Sequence, residues 1–372
     1  MTDITWEGPL LDCSGYATAG RGYIWALDKA GRNIRAINKS RSVNLRGKGI
    51  DDKINELYKK LFSNKVENDI LIQHQVPDVV HPKEKYKFNA IYSIFEMKTV
   101  PEIWAERVKE FDILLTGSEY SKESFVNTGV SADKIKVIPH VIDTDFYSPD
   151  GEKWQISNLK GFNFVALFDF TARKGWKELL TAYWNAFKKT DDVTLTLKVY
   201  YNTMDVNGLR NIMEKIEGLK REQGRKETPV ILLYGYDISS FLIPSFYRTF
   251  DCFVQVSREG FGLPFAEAMA CGLLAIGPET GGNRAFMDYD NSLLVKHTGW
   301  SPIDPELVET NPLFNRLEWP VYSVNHLAHL MRYAYENSIN CGRIKNLGLE
   351  SIRKKLNWKV VSNLIIDSCR KI

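Results

Sequence analysis

The sequence predicts an α/β protein of two domains, each a parallel sheet with covering helices. Three observations carry that expectation. The 372 residues are long for one domain and comfortable for two. Short, apolar, β-prone runs alternate with helical patterns, as in strand–helix–strand units. The alternation breaks at a polar stretch near residue 150 and then restarts, which marks a linker.

The first unit is residues 1–148. Residues 9–30 read P-L-L-D-C-S-G-Y-A-T-A-G-R-G-Y-I-W-A-L-D-K-A. Gly15, Gly20 and Gly22 precede or open a helix that turns Tyr23, Ile24, Ala26 and Leu27 inward and stops at Gly31. No Gly-Lys-Ser/Thr follows, so this is not a Walker A loop, nor is it a clean G-x-G-x-x-G. Strands are expected at 34–37, 69–74, 88–95, 112–116 and 134–138, with helices at 51–62, 101–110 and 121–128. Tyr147–Lys160 is polar and aperiodic, and residues 149–160 are taken as the linker. The second unit, 161–355, has strands at 162–170, 193–200, 230–234, 252–256, 273–276 and 292–295. Helices are expected at 174–187, 206–222, 241–250, 324–337 and 340–355, and an amphipathic tail occupies 356–372.

Composition bounds the function. The net charge of +3 is small, but residues 1–100 hold 16 Lys+Arg against 12 Asp+Glu, while 101–150 hold 5 against 10. The basic excess lies at Arg32, Arg35, Lys39, Arg41, Arg46, Lys48, Lys53, Lys59, Lys60 and Lys65. It suits solvated surface, an anionic membrane face or a polyanionic acceptor. Five scattered cysteines (Cys13, Cys252, Cys271, Cys341, Cys369) with no C-x-x-C point to reduced thiols and a cytoplasmic protein. The start M-T-D-I-T-W-E-G lacks a signal-peptide pattern, and no apolar run approaches the ~20 residues of a membrane span. A lipid partner would therefore be met by peripheral contact with the membrane.

The chemistry gathers in Ser257–Gly272, S-R-E-G-F-G-L-P-F-A-E-A-M-A-C-G. Glu259 and Glu267 stand eight positions apart across a Gly260-Phe261-Gly262 turn. Pro264 suits the first turn of a helix. Glycines admit a ligand close to the backbone, and a helix start offers N–H groups and partial positive charge. A phosphate or a sugar hydroxyl fits such a place.

The string E-G-F-G-L-P-x-x-E-A-M-A-C-G resembles the C-terminal signature of the retaining glycosyltransferases called family 4, or glycosyl transferases group 1. So does G-S-E-Y-S-K-E-S-F-V-N-T-G-V-S-A-D-K-I-K-V-I-P-H-V-I-D-T-D-F-Y-S-P at the end of the first unit, although Val141 stands where the family usually has Gly. The resemblance implies a GT-B fold: two facing Rossmann-like domains with parallel sheets and an interdomain cleft. By the same analogy the tail crosses back to the first domain. The implied function is metal-independent, retaining transfer of a sugar from a nucleotide-diphosphate sugar to an acceptor hydroxyl. No cofactor and no metal site are implied.

The resemblance also assigns roles. Glu267 would hold the ribose hydroxyls and Glu259 the donor sugar, with the N–H groups of Gly260, Phe261, Gly262 and Leu263 binding oxygens. Arg173 and Lys174, in F-D-F-T-A-R-K-G-W, would face the diphosphate. The family usually separates this Arg and Lys, and here Asp169 occupies the usual Arg position. Gly15 and Tyr16 would face the diphosphate across the cleft; Tyr236, just past an expected strand, is a candidate for the base by its position alone. His74 and Glu96, at expected strand ends, are candidates on the acceptor side. The bland reading of each is a cap, a turn or ordinary surface.

Two alternatives stand beside transfer: a nucleotide-sugar epimerase on the same fold, and a non-catalytic nucleotide-sugar or polyanion binder. The acceptor is open among a glycan, a lipid-linked glycan, a protein and modified DNA. No stable protein partner is expected.

Overall fold

The computed structural model describes residues 2–12, 14–40, 52–200, 206–236 and 238–369. Cys13, Arg41, Arg46, Lys48 and Asp51 lie outside the described residues, as does the side chain of Lys53.

The first sheet contains β1 (Ile4–Gly8), β2 (Ile34–Asn38), β3 (Ile70–His74), β4 (Phe88–Tyr92), β5 (Ile113–Thr116) and β6 (Ile135–Val137), in the order β2-β1-β3-β4-β5-β6. Every pairing is parallel. Four helices alternate with these strands: α1 (Gly15–Lys29), α2 (Asp52–Ser63), α3 (Glu102–Lys109) and α4 (Glu119–Val126). The Ser14 side chain caps α1 by accepting from Ala17 N. Periodicity does not predict β1. All five of its residues are buried, so Thr5 and Glu7 interrupt the apolar run without marking a solvent face.

The second sheet contains β7 (Phe162–Asp169), β8 (Val193–Tyr200), β9 (Val230–Tyr234), β10 (Cys252–Val254), β11 (Leu274–Pro278) and β12 (Leu293–Val295). Their order is β12-β11-β10-β7-β8-β9, again all parallel. The helices here are α5 (Trp176–Ala186), α6 (Val206–Glu222), α7 (Ile243–Tyr247) and α8 (Leu263–Ala270).

After β12 the chain leaves the sheet as an arm that periodicity does not predict either. It consists of β13 (His297–Pro302), α9 (Pro305–Thr310) and β14 (Glu318–Tyr322), with β13 and β14 antiparallel. The arm lies against the first domain. Ile303, Leu317 and Trp319 share a core with Val100, Trp104 and Val108. The Phe314 ring is 5.5 Å from Phe95 and 6.2 Å from Trp104. Lys98 N donates to Glu318 O at 3.0 Å, and its Nζ pairs with the Glu318 carboxylate at 2.8 Å. The arm is a strap between the domains. Phe314→Ala should weaken it by about 2 kcal/mol, below the about 3–5 kcal/mol of a fully buried ring. The expected result is a larger radius of gyration in solution scattering with both domains still folded; unchanged dimensions would refute the strap.

Three helices close the chain: α10 (Val324–Glu336), α11 (Gly342–Lys355) and α12 (Trp358–Cys369). Val361, Ile365, Ile366 and Cys369 of α12 pack with Tyr23, Ile24 and Leu27 of α1. One face of the last described helix is thus buried in the first domain's core. Among the described residues no helix is long and apolar enough to cross a membrane.

Candidate active site

The loop between β10 and α8 has little room around it. Gly262 takes φ +94° as it enters α8, a conformation that suits glycine. Gly282 N donates to Glu259 O at 2.7 Å, and a Cβ on Gly282 would lie 2.1 Å from the Gly260 carbonyl. A Cβ on Gly260 would come within 3.0 Å of Phe95 O in the first domain. Ser118 Oγ donates to Gly260 O at 2.7 Å, and Phe261 packs 4.3 Å from the His140 ring. Both domains therefore grip this turn.

Arg173 and Lys174 follow β7, at the carboxyl edge of the sheet where open α/β sheets take ligands. The next residue, Gly175, has φ +68°, and a Cβ there would meet Val256 O at 2.6 Å. The turn is thereby pressed onto the Glu259 loop. Arg258 N donates to Arg173 O at 3.0 Å, and Arg173 Nη1 donates to Arg258 O at 2.7 Å. Lys174 Nζ reaches Glu259 Oε1 at 2.5 Å. Arg173 stands between two carboxylates, 3.4 Å from Glu259 Oε2 and 3.3 Å from Glu96 Oε1. Glu96 comes from the first domain, so the cluster spans the cleft.

Burial acts on every charge here. It would raise Glu259, but Lys174 and Arg173 outweigh it and hold the carboxyl below its usual range. Glu96 is raised by burial, with Arg173 opposing. Burial and the nearby guanidinium push Lys174 down, while Glu259 counters.

Glu267 lies in α8. Tyr147 and Tyr247 donate to its two carboxylate oxygens at 3.0 and 3.1 Å. Burial nonetheless pushes its pKa up to about 7, against the pull of both hydroxyls. The folded state therefore holds this proton more tightly than an unfolded chain with a pKa near 4.5. Stability contributed by the protonated form is present at low pH and is lost as pH rises towards about 7. The ionised carboxylate accepts at both oxygens, whereas the protonated acid turns one of them into a donor and is the weaker acceptor for hydroxyls. If Glu267 holds ribose hydroxyls, as the family resemblance implies, nucleotide affinity should rise between about pH 6 and about pH 8, and Glu267→Gln should flatten that rise. Calorimetry of wild type and variant with one nucleotide checks this, since titration of the phosphate is common to both.

Other expected residues are placed less centrally. Tyr16 puts its hydroxyl 3.3 Å from Ser93 Oγ and stacks on His74 at 4.8 Å. Gly15 begins α1 with open space around it. Tyr236 is 73% exposed and turned to solvent. His74 corrects an expectation: it is fully buried beneath Tyr16, and neither ring nitrogen has a partner among the described residues. Alternation along β3 sends it to the face covered by α1, together with Ile70 and Ile72, and not to the cleft.

Several site residues carry no signal in the sequence. Tyr147 and Tyr247 are brought to Glu267 only by folding. Arg258 is 3% exposed; it donates to Pro320 O at 3.1 Å, pairs with Glu178 at 2.9 Å and lies 4.9 Å over Trp319. It fastens the interdomain strap beside Glu259. For the loop after β11, the double glycine Gly281-Gly282 at a strand end is the signal that could have found it.

Two six-stranded parallel sheets, with a charged cluster joining their carboxyl edges, define the GT-B class of glycosyltransferase folds. Residues 162–301, within the second domain, match the family model Glycosyl transferases group 1. The chain is similar to Anabaena Alr3699/HepE, solved in complex with UDP-glucose (13% identity, TM-score 0.69, 100% of both chains). It is also similar to sucrose-phosphate synthase from Thermosynechococcus elongatus (14% identity, TM-score 0.64, 100% of this chain and 99% of that one). A Klebsiella pneumoniae protein described as an uncharacterized 41.2 kDa protein in the cps region is 27% identical over 216 residues. That match spans about half of each chain, 52% of this one and 52% of the relative.

Proposed function

We propose that the protein transfers a sugar from a nucleotide-diphosphate sugar, UDP-linked in the first instance, to an acceptor hydroxyl, with retention of anomeric configuration and without a metal ion. The observation that carries this reading is the convergence of Lys174 and Arg173 on Glu259 at the turn that opens α8. Departure of a nucleoside diphosphate develops negative charge, and fixed cations placed there stabilise it without reorganising. Glu259 and Glu96 share those cations in the structure. A diphosphate would draw Lys174 and Arg173 toward itself and free Glu259 to accept hydroxyls of the donor sugar. Glu267 would accept from the ribose, held in orientation by Tyr147 and Tyr247. Retention is read as same-face attack within an ion pair, because no side chain stands out as a nucleophile for a covalent intermediate. The cytoplasmic assignment and peripheral membrane contact are part of the same proposal.

The test is a thermal-shift panel of UDP, GDP, ADP and CMP, since a ligand that binds only the native state raises its stability. UDP should give the largest shift, unchanged by EDTA. A flat panel, or a shift that needs manganese or magnesium, would overturn the reading. Conversion of a donor with no acceptor present would favour an epimerase instead.

A further inference from the structure

Arg258 precedes Glu259 in the chain, yet its side chain lies against the strap and is 3% exposed. Nε donates to Pro320 O at 3.1 Å. The guanidinium sits 4.9 Å from the Trp319 ring and 5.4 Å from the Tyr322 ring, both in β14. Trp319 in turn shares a core with Val100, Trp104 and Val108 of the first domain. In the other direction Nη2 donates at 2.9 Å to Glu178, in the first turn of α5. Nη1 has no partner among the described residues.

The main chain of the same residue meets Arg173. Arg258 N donates to Arg173 O at 3.0 Å, and Arg258 O accepts from Arg173 Nη1 at 2.7 Å. That Nη1 also lies 3.4 Å from Glu259, while Arg173 Nε lies 3.3 Å from Glu96. The segment that carries Arg173 and Lys174 is thus tied to Arg258 through backbone at Arg173 and through a side chain at Glu178. A guanidinium suits this place: it is planar and points N–H groups at two separate acceptors while its face rests on a ring, which an ammonium cannot do. Stability alone does not account for it, since a buried charge with an unpaired donor adds little to a fold.

We infer that Arg258 is a positioning residue, which transmits the strap's seat on the first domain to Arg173 and aims that guanidinium at the leaving diphosphate. The Arg258 side chain fixes its own carbonyl, and the carbonyl fixes Arg173. The inference rests on the transferase reading above, which brings the diphosphate to Arg173. A cation's direction matters to the phosphates and not to the nucleoside, so UDP reports on Arg258 and uridine does not.

The experiment is calorimetric titration of the full chain with UDP and with uridine, in wild type, Arg258→Met, Arg173→Ala and the double variant. Wild type should bind UDP more tightly than uridine. Arg258→Met should shrink that preference about fivefold or more and leave uridine affinity within about twofold. On the Arg173→Ala background the same substitution should change the preference by less than about twofold, because the group it acts through is gone. Glu178→Ala, at a side chain 28% exposed, cuts the same anchor from the α5 side and should shrink the preference in the same direction. Glu178→Gln keeps an acceptor for Nη2 and should stay close to wild type. Equal losses for UDP and uridine, a loss of the same size with and without Arg173, or a preference unmoved by both Arg258→Met and Glu178→Ala would each overturn the inference. A wild type that binds UDP no more tightly than uridine would sink the donor reading instead. Denaturant unfolding of the same four proteins then decides the inference: the double variant should lose less stability than the two single variants summed, and strict additivity would overturn it.

Discussion

Lys174→Ala should lower sugar transfer by about 10²–10³-fold, the loss typical of removing one preorganised group from developing negative charge. Lys174 is the cation nearest Glu259, and it is largely enclosed, with 13% of its side chain exposed. In that setting water compensates poorly for the missing charge. The loss should appear in kcat as well as in donor affinity, because charge on a leaving diphosphate is greater in the transition state than in the bound ground state. Arg173 remains to hold Glu259, so the variant should fold. Its Glu259 loses its closest cation and should titrate higher, which moves the acid limb of the rate profile upward. Glu259→Gln should be similarly inactive, with Lys174 left facing a neutral amide. Circular dichroism and the unfolding midpoint establish that each variant is folded, so that lost turnover reports on chemistry alone. Full turnover in either variant would remove this cluster from the reaction.

Gly282→Ala should be the most damaging single-methyl substitution in the second domain. The added Cβ would lie 2.1 Å from both the carbonyl carbon and the oxygen of Gly260, and 2.3 Å from Phe261 N. All three are backbone atoms, so no side chain can swing aside. Overpacking of a core usually costs about 1–3 kcal/mol, and a backbone collision belongs in the tail above about 4 kcal/mol. The strain falls on the turn that carries Glu259 and touches Ser118, so activity should disappear even at temperatures where the protein stays folded. Denaturant titration and transfer assays on the same sample check both effects. Gly218→Ala in α6 is the contrasting control, since nothing lies within 4 Å of its added methyl. A Gly282→Ala protein with the stability of wild type would show that the two loops are not in contact in solution.

Much of this was legible one residue at a time. Gly260, Gly262, Pro264 and the two glutamates announce a glycine turn opening a helix, and they do so in a contiguous string. Lys174 beside Gly175 is readable for the same reason. The strands at 162–169 and 193–200 stand out because each is a continuous β-prone run buried in a parallel sheet, and 230–234, half-buried at the sheet's edge, is as continuous. The arm at 297–322 does not stand out. β13 is half-exposed, and it pairs only with the short β14 among the described residues, so neither a long buried run nor a helical stripe marks the arm. His74 was misplaced because a strand's end is visible in sequence, whereas the face a side chain takes depends on register and on what packs there.

The chain's own order of residues determined the repeating strand–helix plan, the glycine turn and the identity of the groups that could meet a phosphate, because these depend on neighbours within a few positions. Tertiary structure alone decided that Tyr147 and Tyr247 share one carboxylate, that Glu96 reaches across to Arg173, and that Arg258 is clasped by a strap from far along the chain. Those contacts join residues distant in sequence. Their energy comes from burial and charge pairing, which exist only once both domains have closed on the same space.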